Sequence, residues 1–477
     1  MAERVFCIDL GSAFTKVSLR QDPGADSRLL TLATASGGEA SFCFPTVVAV
    51  DRRGAKPAVS IGEKAADMQA GSGVEVYRNW KKWLFATPQA SGRSHQSPLE
   101  ALLESDELRQ LADKFGVANG QIHYLQQLVV VARSLISGPG GRVVSAESQQ
   151  HANAPLLTGH YLLALRQYVL EACNRLPATG LRYEAIPVRI SVPAFALPTD
   201  ADPHPACKIL TDALQKAGWP LHPDRPIVAE PYSNAIGILT KATNILKRTS
   251  LDLGGMFSKG PVISVLKDPT HYPSYRALVM DVGAYTTDFA AVELKPGGDA
   301  TANPDVGFSV RQQSVPLGIS DLDTAIEAAL PKEKSELLRR LKAIDWDDFR
   351  KAVYTDRKGV KHPTGVVIGG PSDEGAVSDT LSRFAGQLVA KVVTFCEELA
   401  PTGLQELILT GGGAFIPSIR DALIQAAQAG GQSYSKTHAP ALKKTAGAPP
   451  VVKLDEAFTR GGSALGGTSI YFEKEYY

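Results

Sequence analysis

The stretch Asp281–Asp288, with the sequence DVGAYTTD, decides how the rest of the chain is interpreted. An apolar run, ALVM at 277–280, precedes it, and FAAVEL at 289–294 follows it with strand-like alternation. Two strand-like runs joined by a short segment that contains glycine and hydroxyl residues predict a β-hairpin. This hairpin would carry one carboxylate on each side of its turn.

The same pattern occurs near the N-terminus, where the stretch Asp9–Lys16, DLGSAFTK, lies between VFCI at 5–8 and VSL at 17–19. Backbone N–H groups and hydroxyls around such a turn suit phosphate oxygens. The aspartates are then left to hold Mg²⁺, which takes one or two carboxylates together with phosphate. Either hairpin alone is more often an ordinary turn, so the prediction of two phosphate hairpins depends on their pairing in one chain.

Length and composition favour a large α/β protein with two or more lobes, because 477 residues exceed one compact core. The formal charge of +1 gives no overall field that would attract nucleic acid. Five scattered cysteines without CxxC spacing argue against a structural zinc site and indicate buried free thiols. The N-terminus has no signal-peptide pattern and no run of eighteen apolar residues occurs, so we expect a cytoplasmic protein without membrane insertion.

Two further stretches contain glycine or other small residues, which predict that a ligand or another helix lies close to the backbone. The segment at 406–415, ELILTGGGAF, is a strand followed by a triple-glycine turn, which lets a flat or charged ligand reach the backbone. The segment at 227–237, IVAEPYSNAIG, is a short strand that continues into a helix of small residues. By contrast, residues 137–156 are rich in Gly, Ser, Gln and Pro and are predicted to be a surface loop.

The order of these motifs resembles the nucleotide-binding domain of the heat-shock protein 70 family, within the actin-like and sugar-kinase superfamily. Asp9–Ser12 resembles the first phosphate motif of that family, Asp281–Asp288 the second, and Leu409–Pro417 the adenosine motif. Ala229–Pro231 resembles the start of the first connecting segment, and Asp455–Ala457 with the glycines that follow resembles the second connecting helix. The resemblance covers nearly the whole chain.

The resemblance implies a two-lobed α/β fold, the actin-like ATPase fold of the ribonuclease H-like type, with nucleotide in the cleft between the lobes. Lobe I would span 1–243 with a subdomain inserted at about 39–154. Lobe II would span 244–449 with a small subdomain at about 316–364, and residues 450–477 would form a connecting helix that returns to lobe I. No peptide-binding domain follows, so the chain would not hold unfolded clients itself.

The resemblance also implies roles for individual residues. Asp9, Asp281 and Asp288 would surround Mg²⁺. Catalysis would fall to Asp281, Thr286, Glu230 near the attacking water, and a lysine at the terminal phosphate, for which we favour Lys81 over Lys82. A solvated basic pair beside core tryptophans is the alternative for these lysines. The nucleotide would be held by Gly11, Ser12, Ala13, Phe14, Lys16, Gly283, Ala284, Tyr285, Glu336, Arg339, Arg340, Gly411, Gly412, Gly413 and Phe415.

Several positions depart from the family pattern. Ala284 and Tyr285 replace two glycines of the second phosphate turn, which predicts a less open approach to phosphate and slow or absent hydrolysis. Phe415 replaces an arginine that packs on the adenine, although its ring can still stack. Lys16 occupies a position typical of actin-type proteins, where the lysine reaches the phosphates; the alternative is a strand end that faces solvent. For Glu336, Arg339 and Arg340, a solvent-exposed charged helix is the alternative.

These observations predict a switch protein that binds ATP or ADP with Mg²⁺, hydrolyses ATP weakly, and closes its lobes to regulate an unidentified protein partner. Two alternatives stay open. An actin-like protomer would assemble into filaments on ATP, which makes self-association an expectation of that reading. A small-molecule kinase of the sugar-kinase branch would need a substrate-binding motif, and the sequence contains no recognisable one.

Overall fold

The structure is a computed structural model. It describes residues 4–21, 27–32, 41–54, 57–68, 70–85, 146–176, 180–197, 204–238, 275–295, 307–331, 353–355, 361–363, 371–398, 406–438, 451–452 and 456–468. The chain divides into two units, one formed by residues 1–79 and 158–477 and the other by residues 80–157. Both main sheets belong to the first unit.

Strands and helices alternate along the described residues, so the protein is of the mixed α/β class. The strands are β1 Val5–Leu10, β2 Phe14–Arg20, β3 Arg28–Leu29, β4 Phe44–Pro45, β5 Val48–Asp51, β6 Ala58–Ile61, β7 Val74–Tyr77, β8 Val188–Val192, β9 Ile227–Ala229, β10 Tyr275–Val282, β11 Thr287–Lys295, β12 Gly307–Val315, β13 Val353–Thr355, β14 Lys361–Pro363, β15 Glu406–Thr410 and β16 Val451–Val452. The helices are α1 Gly62–Ala66, α2 Lys81–Phe85, α3 Ala146–Asn174, α4 Pro205–Lys216, α5 at 230–238, α6 Ile319–Ala329, α7 Pro371–Glu398, α8 Pro417–His438 and α9 Glu456–Gly467.

The first sheet has the strand order β3-β2-β1-β8-β9, with β4 added beside β2. Strand β1 pairs antiparallel with β2 and parallel with β8, and β8 pairs parallel with β9. All six residues of β1 are buried. Five of the six are apolar, since a central strand covered on both faces favours an apolar run over alternation, and the exception is Asp9.

The second sheet repeats this arrangement with the order β12-β11-β10-β15-β16. Strand β10 pairs antiparallel with β11 and parallel with β15, and β15 pairs parallel with β16. Helices α7 and α8 supply apolar side chains to its core, in which Phe289 of β11 stacks on Phe395 of α7 with ring centroids 5.4 Å apart. Both sheets therefore consist of an antiparallel triplet extended by two parallel strands.

Helices α5 and α9 approach each other closely because glycines occupy their contact. A Cβ atom at Gly466 would overlap the carbonyl oxygen of Ser233, and one at Gly237 would overlap the carbonyl oxygen of Gly462. Ser463 also donates a hydrogen bond to the carbonyl oxygen of Glu230 at 3.2 Å. The small residues of this segment, which the sequence indicated, thus allow two helix backbones to touch.

Helix α9 also contacts the first sheet. Ser18 of β2 donates to the carbonyl oxygen of Ala464, and Arg189 of β8 donates to that of Gly467 at 3.2 Å. The arginine lies at the last turn of the helix, where a cation is favoured by the helix dipole. Helix α9 is therefore fixed to both the first sheet and α5.

One prediction about secondary structure is wrong. Residues 146–156 were expected within a surface loop, but they belong to α3, which includes Pro155. Proline removes one backbone hydrogen bond and opposes the helix at that point, yet the alanines, glutamines and glutamate around it favour the helix. The helix-favouring residues around Pro155 thus outweigh the effect of this one proline.

The five cysteines are all free, and four of them are buried, in agreement with the prediction of buried free thiols. Among the described residues, no helix combines the length and the apolar character needed to cross a membrane.

Replacing Gly466 by Ala should lower the thermal unfolding temperature, because the new Cβ would overlap the Ser233 carbonyl. Overpacking of this kind costs about 1–3 kcal/mol. Gly375→Ala in α7 is the matched control, since nothing lies within 4 Å of a Cβ placed there. Calorimetric or circular-dichroism melts compare the two; an unfolding temperature of the Gly466 variant equal to that of the control would show that the helices do not touch.

Candidate functional site

The first hairpin forms as predicted, with Asp9 opposite Lys16 across strands β1 and β2. The Lys16 Nζ atom lies 3.0 Å from Asp9 Oδ2, and both side chains are largely buried. Gly11 is needed in the turn because a Cβ there would overlap the Phe14 carbonyl oxygen. The lysine therefore points at the carboxylate of its own hairpin and not into solvent.

Other residues of the first turn are held in different ways. The Ala13 carbonyl oxygen accepts a hydrogen bond from the Thr46 backbone N–H at 2.9 Å, and Phe14 is partly exposed. Ser12 is buried, and its Oγ atom has no hydrogen-bond partner among the described residues. A buried hydroxyl loses free energy unless it forms a hydrogen bond.

The second hairpin also forms as predicted, with Asp281 opposite Asp288 across β10 and β11. The turn closes through a bond from the Gly283 N–H to the Thr286 carbonyl oxygen at 2.9 Å. The first N–H groups of helix α6 then bind this turn: Ile319 donates to the Gly283 carbonyl oxygen and Ser320 to that of Ala284, at 3.0 and 2.8 Å. Tyr285 completes the turn, and its side chain is partly buried.

Asp288 is held by hydroxyl groups. Thr286 Oγ1 donates to Asp288 Oδ2 at 3.1 Å, and Ser314 of β12 donates to Asp288 Oδ1. The Ser314 hydroxyl in turn accepts the Ala194 N–H at 2.7 Å, which comes from the turn after β8 of the first sheet. Asp288 therefore forms part of a link between the two sheets, and Thr286 contacts it directly.

The triple-glycine turn lies against Asp281. Gly411 has a left-handed φ of 82°, and a Cβ there would overlap Asp281 Oδ1 and the Val282 carbonyl oxygen. Gly413 is packed against Val282 in the same way, whereas Gly412 is exposed, with nothing within 4 Å of a Cβ placed on it. The turn therefore touches the carboxylate on one side and is open on the other.

The two hairpins are electrostatically coupled. The pKa of Asp281 is raised to about 7. Burial is the largest cause; the ammonium of Lys16 acts in the opposite direction, and the carboxylates of Asp9 and Glu230 also raise the pKa. Burial lowers the pKa of Lys16, but Asp9, Asp281 and the Cys43 thiol reverse the direction, so the net pKa is raised. Three carboxylates thus act on one another around one ammonium.

The remaining predicted residues are placed as follows. Lys81 begins α2 in the second unit; it is buried, and its Nζ lies 5.4 Å from the Phe85 ring centroid. Lys82 is only partly buried, with its Nζ 4.7 Å from the Trp83 ring centroid. The backbone of Phe415 lies in the 3-10 turn Gly412–Phe415. Glu336, Arg339 and Arg340 lie outside the described residues.

No group of three His, Cys, Asp or Glu side chains in the described part of the chain is arranged to hold a metal ion by itself. Asp9 and Asp281 are the pair of carboxylates that the two hairpins bring into one electrostatic environment.

Sequence reasoning missed three polar residues of the site, namely Ser314, Thr410 and Asn234. Asn234 donates through Nδ2 to Asp281 Oδ2 at 3.0 Å and to Thr410 Oγ1 at 2.8 Å. A polar amide inside a run of small apolar residues was the one available signal. Ser314 and Thr410 each stand at a strand end, where the sequence carries no comparable sign.

Comparison with known proteins finds no family model that matches this chain. No curated protein matches it significantly either.

The raised pKa of Asp281 predicts how stability depends on pH without divalent cations. The folded carboxyl titrates near 7 and the unfolded one near 3.9. The folded state therefore binds the extra proton between these values, so this group's contribution to stability is present below about pH 4 and is lost as pH rises through about 7. Asp281→Asn removes the charge and should remove this loss.

Thermal unfolding in a chelator at pH 5 and pH 8 tests this expectation. The unfolding temperature of Asp281→Asn minus that of the wild type should be about a few degrees higher at pH 8 than at pH 5. Asp421→Asn, at an exposed aspartate paired with Arg420, serves as the control. A pH-independent difference between Asp281→Asn and the wild type would contradict the assignment.

Proposed function

We propose that the chain is an ATP-binding switch protein with the two-lobed actin-like ATPase fold, whose lobes close on Mg-ATP to regulate a partner protein. The observation that carries the proposal is the repeated sheet. Each sheet has the same order and strand directions, and each has an aspartate, Asp9 or Asp281, one residue before the end of the strand that leads into a tight hairpin. Such a duplicated arrangement suits a ligand that is contacted from both halves.

The residues at the hairpins fit a phosphate chain. The Ser12 hydroxyl, which has no partner within the described ranges, supplies a donor, and the buried ammonium of Lys16 supplies positive charge. The exposed Gly412 leaves room for close approach of the ligand. Hydroxyl, ammonium and glycine backbone are the groups that commonly surround phosphates. We assign the first hairpin and the Gly411–Gly413 turn to nucleotide binding on this basis.

The same site fits Mg²⁺. Asp9 and Asp281 would hold it directly or through water, and the ion would neutralise charge on the phosphates. Asp288 is less suited to bind Mg²⁺, because hydroxyls of Thr286 and Ser314 already bind its two oxygens. Its proposed role is to hold Thr286 in place at the terminal phosphate.

Glu230 is the proposed residue that orients the attacking water. It begins α5 directly after β9, it is buried, and its charge acts on both Asp281 and Tyr285. Burial, with the charges of Asp321 and Glu230, raises the pKa of Tyr285 to about 12, so this phenol stays neutral beside the turn. The bulk of Tyr285 supports the proposal of slow hydrolysis, in which the bound nucleotide acts as a switch.

The crossing of α5 and α9 supports lobe movement as the output. Helix α5 continues from the first sheet, and its Asn234 reaches the second. In the proposed switch, an equilibrium between open and closed forms would be transmitted through this contact between α5 and the second sheet. A ligand shifts such an equilibrium only by its differential affinity for the closed form, so ATP, with its additional phosphate, should favour closure more than ADP.

Binding of ATP should require a divalent cation. Titration calorimetry with ATP, with Mg²⁺ and with a chelator, measures this requirement. Asp281→Asn should weaken binding by about tenfold or more, because a charge-assisted contact contributes about 1.5–3 kcal/mol. Asp421→Asn, at an exposed site, should bind like the wild type. Equal affinity with and without chelator would remove the aspartates from the metal role.

Replacing Glu230 by Gln should leave ATP affinity nearly unchanged and slow single-turnover hydrolysis by about a hundredfold or more, because a positioned base contributes about 10²–10⁴-fold. Glu171→Gln, at an exposed residue of α3, is the matched control. If Glu230→Gln hydrolyses ATP at the wild-type rate, another group orients the water.

A further inference from the structure

Asn234 is a polar residue of α5 whose side chain reaches the second sheet. Its side chain is buried, and its Nδ2 group donates one hydrogen bond to Asp281 Oδ2 at 3.0 Å and one to Thr410 Oγ1 at 2.8 Å. Asp281 is near the end of β10, and Thr410 ends β15. Both hydrogens of one amide are therefore used on two neighbouring strands of the same sheet.

The other side of this amide faces α9. A Cβ atom at Gly462 would overlap Asn234 Oδ1, so a larger residue at that position of the helix would displace the amide. Within the described part of the chain, Oδ1 has no hydrogen-bond partner. The Asn234 side chain thus lies between Asp281 on one side and the helix crossing on the other.

Burying the Asn234 amide costs free energy, and the two hydrogen bonds that Nδ2 donates offset this cost. An unsatisfied buried acceptor loses its hydration without compensation, and an alanine would fit a helix of small residues better. Thr410 Oγ1 is itself anchored, since it lies 3.4 Å from the Met280 carbonyl oxygen. Thr410 therefore holds one side of the Asn234 amide in place, and the second hydrogen of Nδ2 binds Asp281.

We propose that Asn234 is a positioning residue that holds the Asp281 carboxylate and couples its ligation to the crossing of α5 and α9. The inference rests on the proposed function, in which Asp281 takes part in Mg-ATP binding. An asparagine side chain has only two rotatable torsions, and Thr410 fixes one of its hydrogens. A displacement of Asp281 towards a bound ligand must therefore break the Asn234 bond or move α5.

Hydrogen–deuterium exchange with and without saturating Mg-ATP tests this coupling. In the wild type, ATP should slow exchange at the hairpin 281–288 and also in α5 and α9. In Asn234→Ala, protection at the hairpin should persist at saturation, affinity should fall on the order of tenfold, and protection of both helices should be lost. Ser233→Ala is the control, because it removes a neighbouring buried hydroxyl that has no partner among the described residues.

Gly462→Ala provides a second variant that leaves Asn234 in place. The new Cβ would push the Asn234 side chain away from its present position, whereas Gly461→Ala on the same helix would meet Leu29 instead. The Gly462 variant should reproduce the loss of helix protection, and the Gly461 variant should not.

The possible results test the Asn234 coupling and the proposed ATP binding separately. Helix protection in Asn234→Ala equal to that of the wild type, with ATP bound, would overturn the coupling and leave the proposed function intact. If the wild type shows no protection by ATP anywhere and calorimetry detects no binding, both proposals fail. Loss of helix protection in Ser233→Ala as well would show that general packing, and not the amide, carries the effect.

Discussion

The site depends on one electrostatic constraint: carboxylates from two different sheets share the ammonium of Lys16. Asp9 pairs with Lys16 at 3.0 Å, and Lys16 also acts on Asp281 from the other hairpin. Removing charges from water costs several kcal/mol for each ion unless a partner compensates. Lys16 pairs with Asp9, and burial keeps the pKa of Asp281 near 7, so either a proton or a cation can balance the Asp281 carboxylate. In the function that we propose, a divalent cation takes this place.

The fold explains how these carboxylates come together. Residues at the ends of central strands project from the sheet edge, and each sheet here presents an aspartate at that place. The glycines of α5 and α9 then let these two helices approach each other, and Asn234 of α5 reaches Asp281. Serine and threonine hydroxyls complete the arrangement, since Ser314 joins Asp288 to the backbone of Ala194. Two separate polar links therefore connect the sheets.

Much of this was predictable from local sequence, because hairpins and strands depend on neighbouring residues. The apolar runs that flank Asp281–Asp288 predicted both strands and the position of the turn between them. The pairing of Asp9 with Lys16 could also have been inferred, because a hairpin between their strands places them opposite each other. The start of α3 at Ala146 was not predictable from composition, because the Gly, Ser, Gln and Pro residues at 137–156 favour a loop.

The remaining features could not be predicted because they depend on the approach of segments that are distant in the chain. Asn234 and Thr410 are separated by 176 positions, and Ala194 and Ser314 by 120. Periodicity and composition carry no information about such contacts. The lysine at 81 shows the same limit, since its burial could not be deduced from the basic pair alone.

The most direct test of the account is a crystal structure obtained with Mn²⁺ and a non-hydrolysable ATP analogue, with the metal located by its anomalous scattering. The account predicts one strong peak within coordination or water-mediated distance of Asp9 and Asp281, next to the phosphates, with the Ser12 hydroxyl bound to a phosphate oxygen. A peak remote from both aspartates, or a bound analogue whose phosphates contact only one of the two hairpins, would contradict it.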